Sequence, residues 1–524
     1  MNKNPILLGI IIIILFVIGV AREGQSAPKQ QSVAPHKEQP RMGGTLVFGL
    51  DKEFANPNPF IANSSIYQFV KETAYESLLT RDDDGRFVAN LAKTYDISSS
   101  GKEFTLHLRK GVKFHNGKEM QADDVVWSVN HVKDPKNGAY GQNKISNVKY
   151  IEKIDNYTVK FVLEKPSGVF ISLLANIQML PIVPANSLQV GQIKLDKDTF
   201  VPGTGPFMFE QFMPGFDMVV KKSPEYWGKP AYLDKIIFRP ITDNANRFNA
   251  LRTGDVHMAS RLGVLDVARV KKGDVKGIGI LEEPLGGFSR LCFNRLNPLF
   301  QKKEMRQAVL YAFDKKRLVD EAFFGAAQPT ELMMDPQGIW SKAANLPPQK
   351  RDLVKAKALL KTAGYNGQEF VLIEKRAQSQ LAEACQRMLG EAGIKLKVEI
   401  LEAGVLIERR IAGKYDFYID GGTLFDDPVT TMFEGYHSNK VQVGRYSNPK
   451  VDQLFDSLSA EFDQKKRLKI FKELAWTIRD DVADAPLFFE IRYLGLAEKV
   501  NGFGPPKGYN YIANGNYFKN AWLN

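Results

Sequence analysis

The chain has 524 residues, of which 44% are hydrophobic and 25% are charged, a composition typical of a globular protein. This length is too great for a single core of usual size, so two large lobes are expected. The formal net charge is +12, but the basic residues are scattered along the sequence, which indicates a solvated surface and argues against nucleic-acid binding.

The N-terminal segment has the pattern of a secretory signal peptide. Lys3 supplies a positive charge, and an unbroken apolar run of 15 residues follows at 6–20, whereas a membrane-spanning helix needs about 20. Small residues then offer cleavage sites, so we predict a signal peptide at 1–27 and a periplasmic product. Residues 28–41 are rich in Gln, Pro and Ser and predict a disordered tether. A retained N-terminal membrane anchor is the alternative.

The body opens with a predicted strand at 43–50, followed by a loop at 51–60 that contains several Asn and Pro residues. A loop at the end of the first strand of an α/β sheet often borders the ligand crevice. A helix is predicted over 61–80. Phe54 and Tyr67 flank the loop and are therefore candidate ligand contacts.

Residues 101–132 are the most distinctive stretch of the chain. Hydrophobic and polar residues alternate as in a strand with one buried face, and Asn116-Gly117 is a strong turn signal. A helix is predicted to begin next. Gln121 stands at its N-cap, where glutamine caps poorly, so we expect Asp123 to take over the cap.

The later elements follow from the same periodicities and predict mixed α/β lobes. The chain is expected to cross into a second lobe near Gly286-Gly287, and Gly421-Gly422 is expected to end a strand. In chain order the predicted elements are a hairpin at 147–163, a sharp turn at 203–206 before a strand, helices at 302–322, 379–392, 449–462 and 465–481, and strands at 394–400, 415–419 and 486–493.

Several separated stretches carry a resemblance to one family. They are YESLLTRDDDG at 75–85, GKEFTLHLRKGVKFHNGKEMQADDVVWS at 101–128, GTGPFMFEQFMPG at 203–215, SPEYWGKPAYLDKIIFRPI at 223–241 and RQAVLYAFDKKRLVDEAFFG at 306–325. In wording and in order they resemble family 5 of the extracellular solute-binding proteins of ABC importers, which includes peptide- and nickel-binding proteins. The resemblance covers about residues 42–524.

The resemblance implies an α/β, bilobal periplasmic-binding-protein ("flytrap") fold with an extra subdomain in the first lobe. A small solute would bind in the cleft, close the lobes, and be delivered to a membrane permease with its own ATPase. A monomer without cofactor is expected. The expected division is lobe I at 42–90, 200–285 and 493–524, a lobe I subdomain at 91–199, and lobe II at 286–492.

The candidate ligand-binding residues of the second lobe follow predicted strands. Arg376 comes after the strand that contains Phe370 to Ile373, and Trp340 is placed in a loop that contains Pro and Gly. Asp427 precedes Pro428 and fits a structural helix N-cap, so Asp426, one residue earlier, is the better ligand candidate. Its neighbours Leu424 and Phe425 share the same loop.

The resemblance also bears on the ligand. In the peptide binders of the family, an Asp three residues before the acid of an acid-Pro pair binds the peptide's α-amino group. Leu424 stands at that position here. Leucine cannot offset the burial of an ammonium group. Either Asp426 binds the amine from a shifted position, or the ligand is an opine, sugar conjugate or chelate that lacks a free α-amine.

Other functional classes are less well supported. The chain contains neither GxSxG nor HExxH, and its six His residues lack metal-ligand spacing, so we predict no catalytic residues and no metal site. A binding protein that serves a sensor instead of an importer stays open. Cys292 and Cys385 are the only cysteines, so the N-terminal lipid anchor of many family members is not expected, and the two could be buried thiols or a disulfide.

Overall fold

The computed structural model describes residues 39–54, 56–61, 65–82, 86–195, 199–283, 287–375, 379–423, 427–439, 445–504 and 517–524. The predicted signal peptide and most of the predicted tether lie outside the described residues. Residues 40–524 form one unit.

The strands are β1 (Thr45–Leu50), β2 (Leu79–Arg81), β3 (Phe87–Ala89), β4 (Ala92–Ile97), β5 (Glu103–Leu108), β6 (Val148–Asp155), β7 (Thr158–Leu163), β8 (Phe207–Phe212), β9 (Met218–Lys222), β10 (Lys235–Pro240), β11 (Met258–Ala259), β12 (Ile278–Glu283), β13 (Gly287–Phe293), β14 (Ala327–Pro329), β15 (Phe370–Lys375), β16 (Leu396–Leu401), β17 (Phe417–Thr423), β18 (Ala485–Glu490), β19 (Arg492–Ala497), β20 (Val500–Asn501) and β21 (Trp522–Leu523).

The helices are α1 (Ser65–Ala74), α2 (Ala122–Lys133), α3 (Phe170–Leu174), α4 (Asn244–Thr253), α5 (Val264–Lys271), α6 (Pro298–Gln301), α7 (Lys303–Ala312), α8 (Lys315–Phe323), α9 (Ile339–Ala344), α10 (Leu353–Ala363), α11 (Ser379–Glu391), α12 (Ala403–Ile411), α13 (Pro428–Tyr436), α14 (Pro449–Ala460) and α15 (Gln464–Asp480).

Three larger sheets organise the described chain. The first has seven strands in the order β12-β19-β11-β1-β10-β9-β8, with β1 parallel to β10 and β11. The second has four antiparallel strands, β4-β5-β7-β6, and shares one hydrophobic core with the first, since Phe48 and Phe104 belong to the same buried cluster. The third has six strands in the order β14-β18-β13-β17-β15-β16.

The chain crosses between the seven-stranded and six-stranded sheets twice, and residues 284–286 of the first crossing lie outside the described residues. β12 ends at Glu283 in the first of these sheets, and β13 begins at Gly287 in the other. On the return, Ile491 alone separates β18 from β19. The prediction of a single strand at 486–493 is therefore wrong, because β18 pairs with β13 and β14 whereas β19 pairs with β11 and β12.

Three of the distinctive sequence stretches meet at the buried carboxylate of Glu76. It accepts hydrogen bonds from the Thr204 hydroxyl at 2.9 Å, the Tyr226 hydroxyl at 3.0 Å and the Trp227 indole N–H at 2.8 Å. Burial raises the pKa of Glu76, and these three donors oppose that rise. The motifs therefore have a structural role here, since they join three distant parts of the chain.

His115 fixes the turn at Gly203 and Gly205. Its Nδ1 accepts from the Gly203 N–H at 3.2 Å, and its Nε2 lies 3.0 Å from the Gly205 carbonyl oxygen, so the neutral ring with its proton on Nε2 satisfies both contacts. A Cβ on Gly203 would overlap the carbonyl oxygen of Ala74, at the end of α1. Glycine is required because the turn and the helix end approach so closely.

Two predicted boundaries are wrong for identifiable reasons. The single helix at 302–322 is two helices, α7 and α8, because Asp314 caps α8 by accepting from the Arg317 N–H at 3.0 Å. Gly421 and Gly422 lie within β17 instead of ending it. A Cβ on Gly422 would lie 2.8 Å from the Phe288 ring of the neighbouring β13, so the strands pack closely there.

The cap of α2 also differs from the prediction. Asp124, rather than Asp123, accepts from the Gln121 N–H, at 2.9 Å, while Asp123 pairs with Lys153 on the surface. Position N3 is the one from which a side chain reaches back to the N-cap, and Asp124 occupies it.

Both cysteines are buried free thiols, Cys292 in β13 and Cys385 in α11. Burial raises the pKa of each thiol above its ordinary value. Within the described ranges, the helices are too short or too polar to cross a membrane.

Candidate functional site

The candidate site lies at the edge where the parallel strands of the six-stranded sheet end. β15 runs parallel to β17, so both strands, which end at Lys375 and Thr423, end at the same edge of the sheet. The residues that follow them, 376–378 and 424–426, include Arg376, Leu424, Phe425 and Asp426 and lie outside the described residues. A ligand role for these four residues stays a prediction.

Asp427 has the structural role that its sequence position predicts. Its Oδ1 accepts from the Val429 N–H at 2.9 Å, with Pro428 in the first turn of α13. The Arg467 guanidinium from α15 donates to both carboxylate oxygens, at 2.7 and 3.2 Å. Since Asp427 is 3% exposed and already bound by these donors, it is committed to holding the start of α13 against α15.

Trp340 does not lie in a loop, so that part of the prediction is wrong. It is the second residue of α9 and is 5% exposed. Its ring centroid lies 5.1 Å from that of Phe471, and the Arg467 guanidinium carbon lies 5.3 Å from the Trp340 centroid. The indole packs against the Arg467 guanidinium, which pairs with Asp427. Direct contact of Trp340 with a ligand stays a prediction.

The first-lobe candidates are placed less favourably than the sequence suggested. Phe54 is 3% exposed, and its ring centroid lies 6.4 Å from that of Phe238, within the core under β10. Tyr67 lies in α1, and its side chain is outside the described part of the structure. Ligand contacts by both residues stay predictions.

The loop after β1 is instead organised by two buried asparagines that the sequence analysis missed. Asn56 Oδ1 accepts from the Asn58 N–H at 3.0 Å, and Asn58 Oδ1 accepts from the Phe60 N–H at 2.9 Å. Their amides donate to the carbonyl oxygens of Ile193 and Gln192. The signal was available, because Asn-x-Asn in a loop forms successive Asx turns.

An acidic side chain lies at the edge of the seven-stranded sheet where its parallel strands β1 and β11 end. The Asp51 carboxylate at the end of β1 accepts from the Ser260 hydroxyl at 2.8 Å, and Arg261 lies 3.6 Å away. β1 and β11 are parallel and end together, so these side chains share one edge. Arg261 has a φ of 44°, a left-handed backbone that a non-glycine residue seldom adopts.

Glu374 is a second acidic group that the sequence analysis missed. It is 1% exposed near the end of β15, two residues before Arg376. Its Oε1 accepts from the Lys375 N–H at 2.8 Å, and among the described residues no hydrogen bond reaches Oε2. Burial raises the pKa of Glu374 to about 7, so this carboxyl can be neutral or charged near neutral pH.

The described side chains form no cluster of three His, Cys, Asp or Glu residues with the geometry of a metal site. The arrangement offers hydrogen-bonding and charged groups at the ends of parallel strands in two of the sheets. Such an arrangement suits the reversible binding of a small polar molecule.

Comparison with known families gives one match over most of the chain. Residues 86–443 match the model of "Bacterial extracellular solute-binding proteins, family 5 Middle". The glutathione-binding protein GsiB of Pectobacterium atrosepticum is 28% identical over 488 residues, which cover 87% of this chain and 91% of that protein. GsiB of Escherichia coli K12 is 27% identical over 486 residues, with 89% and 93% covered.

Solved structures with similar folds span almost the whole chain. The periplasmic binding protein DppA of Helicobacter pylori, in complex with the peptide STSA, has a TM-score of 0.74 at 26% identity, covering 92% of this chain and 98% of that one. AgaA of A. tumefaciens R10, in complex with agropinic acid, has a TM-score of 0.71 at 28% identity, with 92% and 99% covered.

Proposed function

The chain belongs to family 5 of the bacterial extracellular solute-binding proteins, and we propose that it captures a peptide-like or other small polar solute between its two lobes for an ABC importer. The expected α/β bilobal periplasmic-binding-protein fold is confirmed by the similar solved structures. The observation that carries the proposal is the family match over residues 86–443, together with relatives that bind small solutes.

The fold supports a mechanism of closing around the solute. The chain crosses between the two large sheets twice, after β12 ends at Glu283 and at Ile491 between β18 and β19. A few residues at such crossings can absorb a hinge rotation while each sheet stays intact. In our proposal, lobe I comprises 42–90, 200–285 and 493–524, its subdomain 91–199, and lobe II 286–492.

We propose that the closed form docks as a monomer on a membrane permease coupled to an ATPase, and that the solute is released chemically unchanged. We also propose export to the periplasm with cleavage between residues 21 and 28. N-terminal sequencing of the exported protein tests the last point, since a chain that still begins at Met1 or Asn2 would show a retained anchor.

For the ligand, we propose a polar solute that is not held through a free α-amine in the way usual for peptides. Leu424 cannot neutralise an ammonium group, and Asp427 is already bound to Arg467 and to the N-terminus of α13. Relatives in this family bind chemically different solutes, including glutathione, a peptide and agropinic acid. An opine, sugar conjugate or chelate would fit this proposal.

Calorimetry with matched ligands tests the ligand class. We expect a mixture of di- to pentapeptides to bind no more tightly than its N-acetylated counterpart, and Asp426→Asn to change neither result. Micromolar binding of free peptides that is lost on acetylation, and lost again in Asp426→Asn, would instead establish Asp426 as the residue that binds the amine.

A thermal-shift screen tests the function itself. Peptides, glutathione, opines, sugars and metal chelates would be added separately, and a true ligand at about 100 times its Kd should stabilise the protein by about 2.7 kcal/mol. The ligand should be recovered unchanged by chromatography. Conversion of the stabilising compound into a product would contradict a binding function.

A further inference from the structure

The turn between α14 and α15 makes a contact with the four-stranded sheet region that the family resemblance did not predict. The Gly168 N–H, in the loop between β7 and α3, donates to the Ser459 carbonyl oxygen at 2.8 Å. This oxygen belongs to the last turn of α14, where carbonyl groups lack partners within the helix. The hydrogen bond therefore completes a helix end across two separate parts of the fold.

An aromatic side chain reinforces this contact. Phe462, in the turn itself, packs against the core of the first two sheets, with its ring centroid 6.3 Å from that of Phe104. A Cβ on Gly101 would overlap the Phe462 ring, so this glycine leaves the space that the ring occupies. A weaker charged contact, Lys144 to Glu434 at 3.7 Å, lies in the same pair of regions.

The contact joins residues of two different hydrophobic clusters. Phe104 shares one buried cluster with Phe48 of the seven-stranded sheet. In contrast, α14 and α15 pack in a different cluster, with Phe288 and Phe489 of the six-stranded sheet. Opening at the crossings would therefore pull Phe462 and Ser459 away from Gly101 and Gly168.

We propose that the α14–α15 turn is a latch that stabilises the closed form, with Phe462 and Gly168 as positioning residues that set the balance between open and closed lobes. The proposal rests on the opening and closing of the proposed function. One hydrogen bond and one partly buried ring form a small contact, as a reversible two-state element requires.

The latch is also connected to Asp427 at the N-terminus of α13. Arg467 donates through Nε to the Leu458 carbonyl oxygen at 3.3 Å, in the same last turn of α14, and through its other nitrogens to Asp427. Asp427 in turn accepts from the Val429 N–H at the start of α13, so Arg467 links the ends of two helices to the latch.

Gly168→Ala tests the latch from the subdomain side. The added Cβ would overlap the carbonyl oxygen of Glu461 in the closed form, whereas the backbone of Gly168 has no left-handed φ that alanine would strain. Phe462→Ser removes the ring from the other side. Overpacking at Gly168 and loss of the ring at Phe462 are each expected to lower the closed population by about tenfold or more.

The readout is the distance distribution between spin labels on cysteines introduced at Lys149 and Lys469, two exposed positions, in the full chain without added ligand. The native cysteines are buried and should not react. We expect wild type to show a short-distance population, and both latch variants to lose most of it. Gly390→Ala is the matched control, because its Cβ meets nothing within 4 Å in α11.

Several results would overturn the latch. A wild-type distance distribution in Gly168→Ala, or a wild-type protein with no short-distance population, would show that the contact does not govern closing. Loss of folding in both variants, seen by circular dichroism, would show that the contact belongs to the permanent fold. The distance measurements use no ligand. Failure of every tested solute to bind would therefore contradict the proposed function without changing what the distances say about the latch.

Discussion

Replacing Arg467 with Leu is expected to lower the free energy of unfolding by about 3–5 kcal/mol. Arg467 donates to both oxygens of Asp427, and the two side chains are only 4% and 5% exposed. Leucine would leave the Asp427 carboxylate in the interior without its cation. It would also remove the guanidinium that packs over Trp340.

Arg239→Leu is the matched control for this prediction. Arg239 likewise donates two hydrogen bonds to one carboxylate, that of Asp217, at 3.1 and 2.9 Å, but these side chains are 39% and 31% exposed. Exposed pairs contribute about 0–1 kcal/mol, so the control should lose little. Urea unfolding of the three proteins measures both losses. Equal losses would contradict the argument that burial of the Asp427 pair makes it important.

The free energy of unfolding is also expected to fall by up to about 3 kcal/mol as the pH drops from 6.5 to about 4, through the single group His115. Burial lowers the pKa of His115 from 6.5 to about 4. Between these values the unfolded chain binds a proton that the folded protein does not. The contribution of His115 to the free energy of unfolding is therefore complete above pH 6.5 and is lost as the pH falls from 6.5 to about 4.

His115→Gln isolates this contribution, since glutamine can donate and accept but does not titrate. Protonation of His115 would place a second N–H against the Gly203 N–H and so break the contact that holds this turn. The measurement is urea unfolding of both proteins at pH 4.5, 5.5 and 7. The difference between wild type and variant should shrink toward low pH, and a constant difference would rule out His115 as the titrating group.

The sequence predicted the fold class and the family because several motifs stand in a recognisable order. It did not predict what the motif residues do. Glu76 meets Thr204 and Trp227 only after more than a hundred intervening residues have folded. His115 likewise reaches Gly203 across the chain. Local periodicity contains no information about such contacts, so their structural role could be found only from the fold.

The wrongly predicted positions and boundaries of helices had local causes. Trp340 was placed in a loop because α9 is a single short helix whose N-cap is Gly338, without a side-chain hydrogen bond. The break before α8 could have been predicted from Asp314, but the hydrophobic pattern continues past it. The proposed latch depends on Gly101, which leaves space for the Phe462 ring, and on Gly168, which lies close to the Glu461 carbonyl oxygen. A glycine in a turn gives no sign of what fills the space beside it.

Closing of the lobes around a solute is the central claim, and small-angle X-ray scattering tests it most directly. The probe is whichever compound gives the largest stabilisation in the thermal-shift screen, and the profile is recorded with and without a saturating amount of it. The two crossings between the sheets, after Glu283 and at Ile491, lead us to expect a smaller radius of gyration in the bound state. An unchanged scattering profile at saturation would contradict the hinge mechanism.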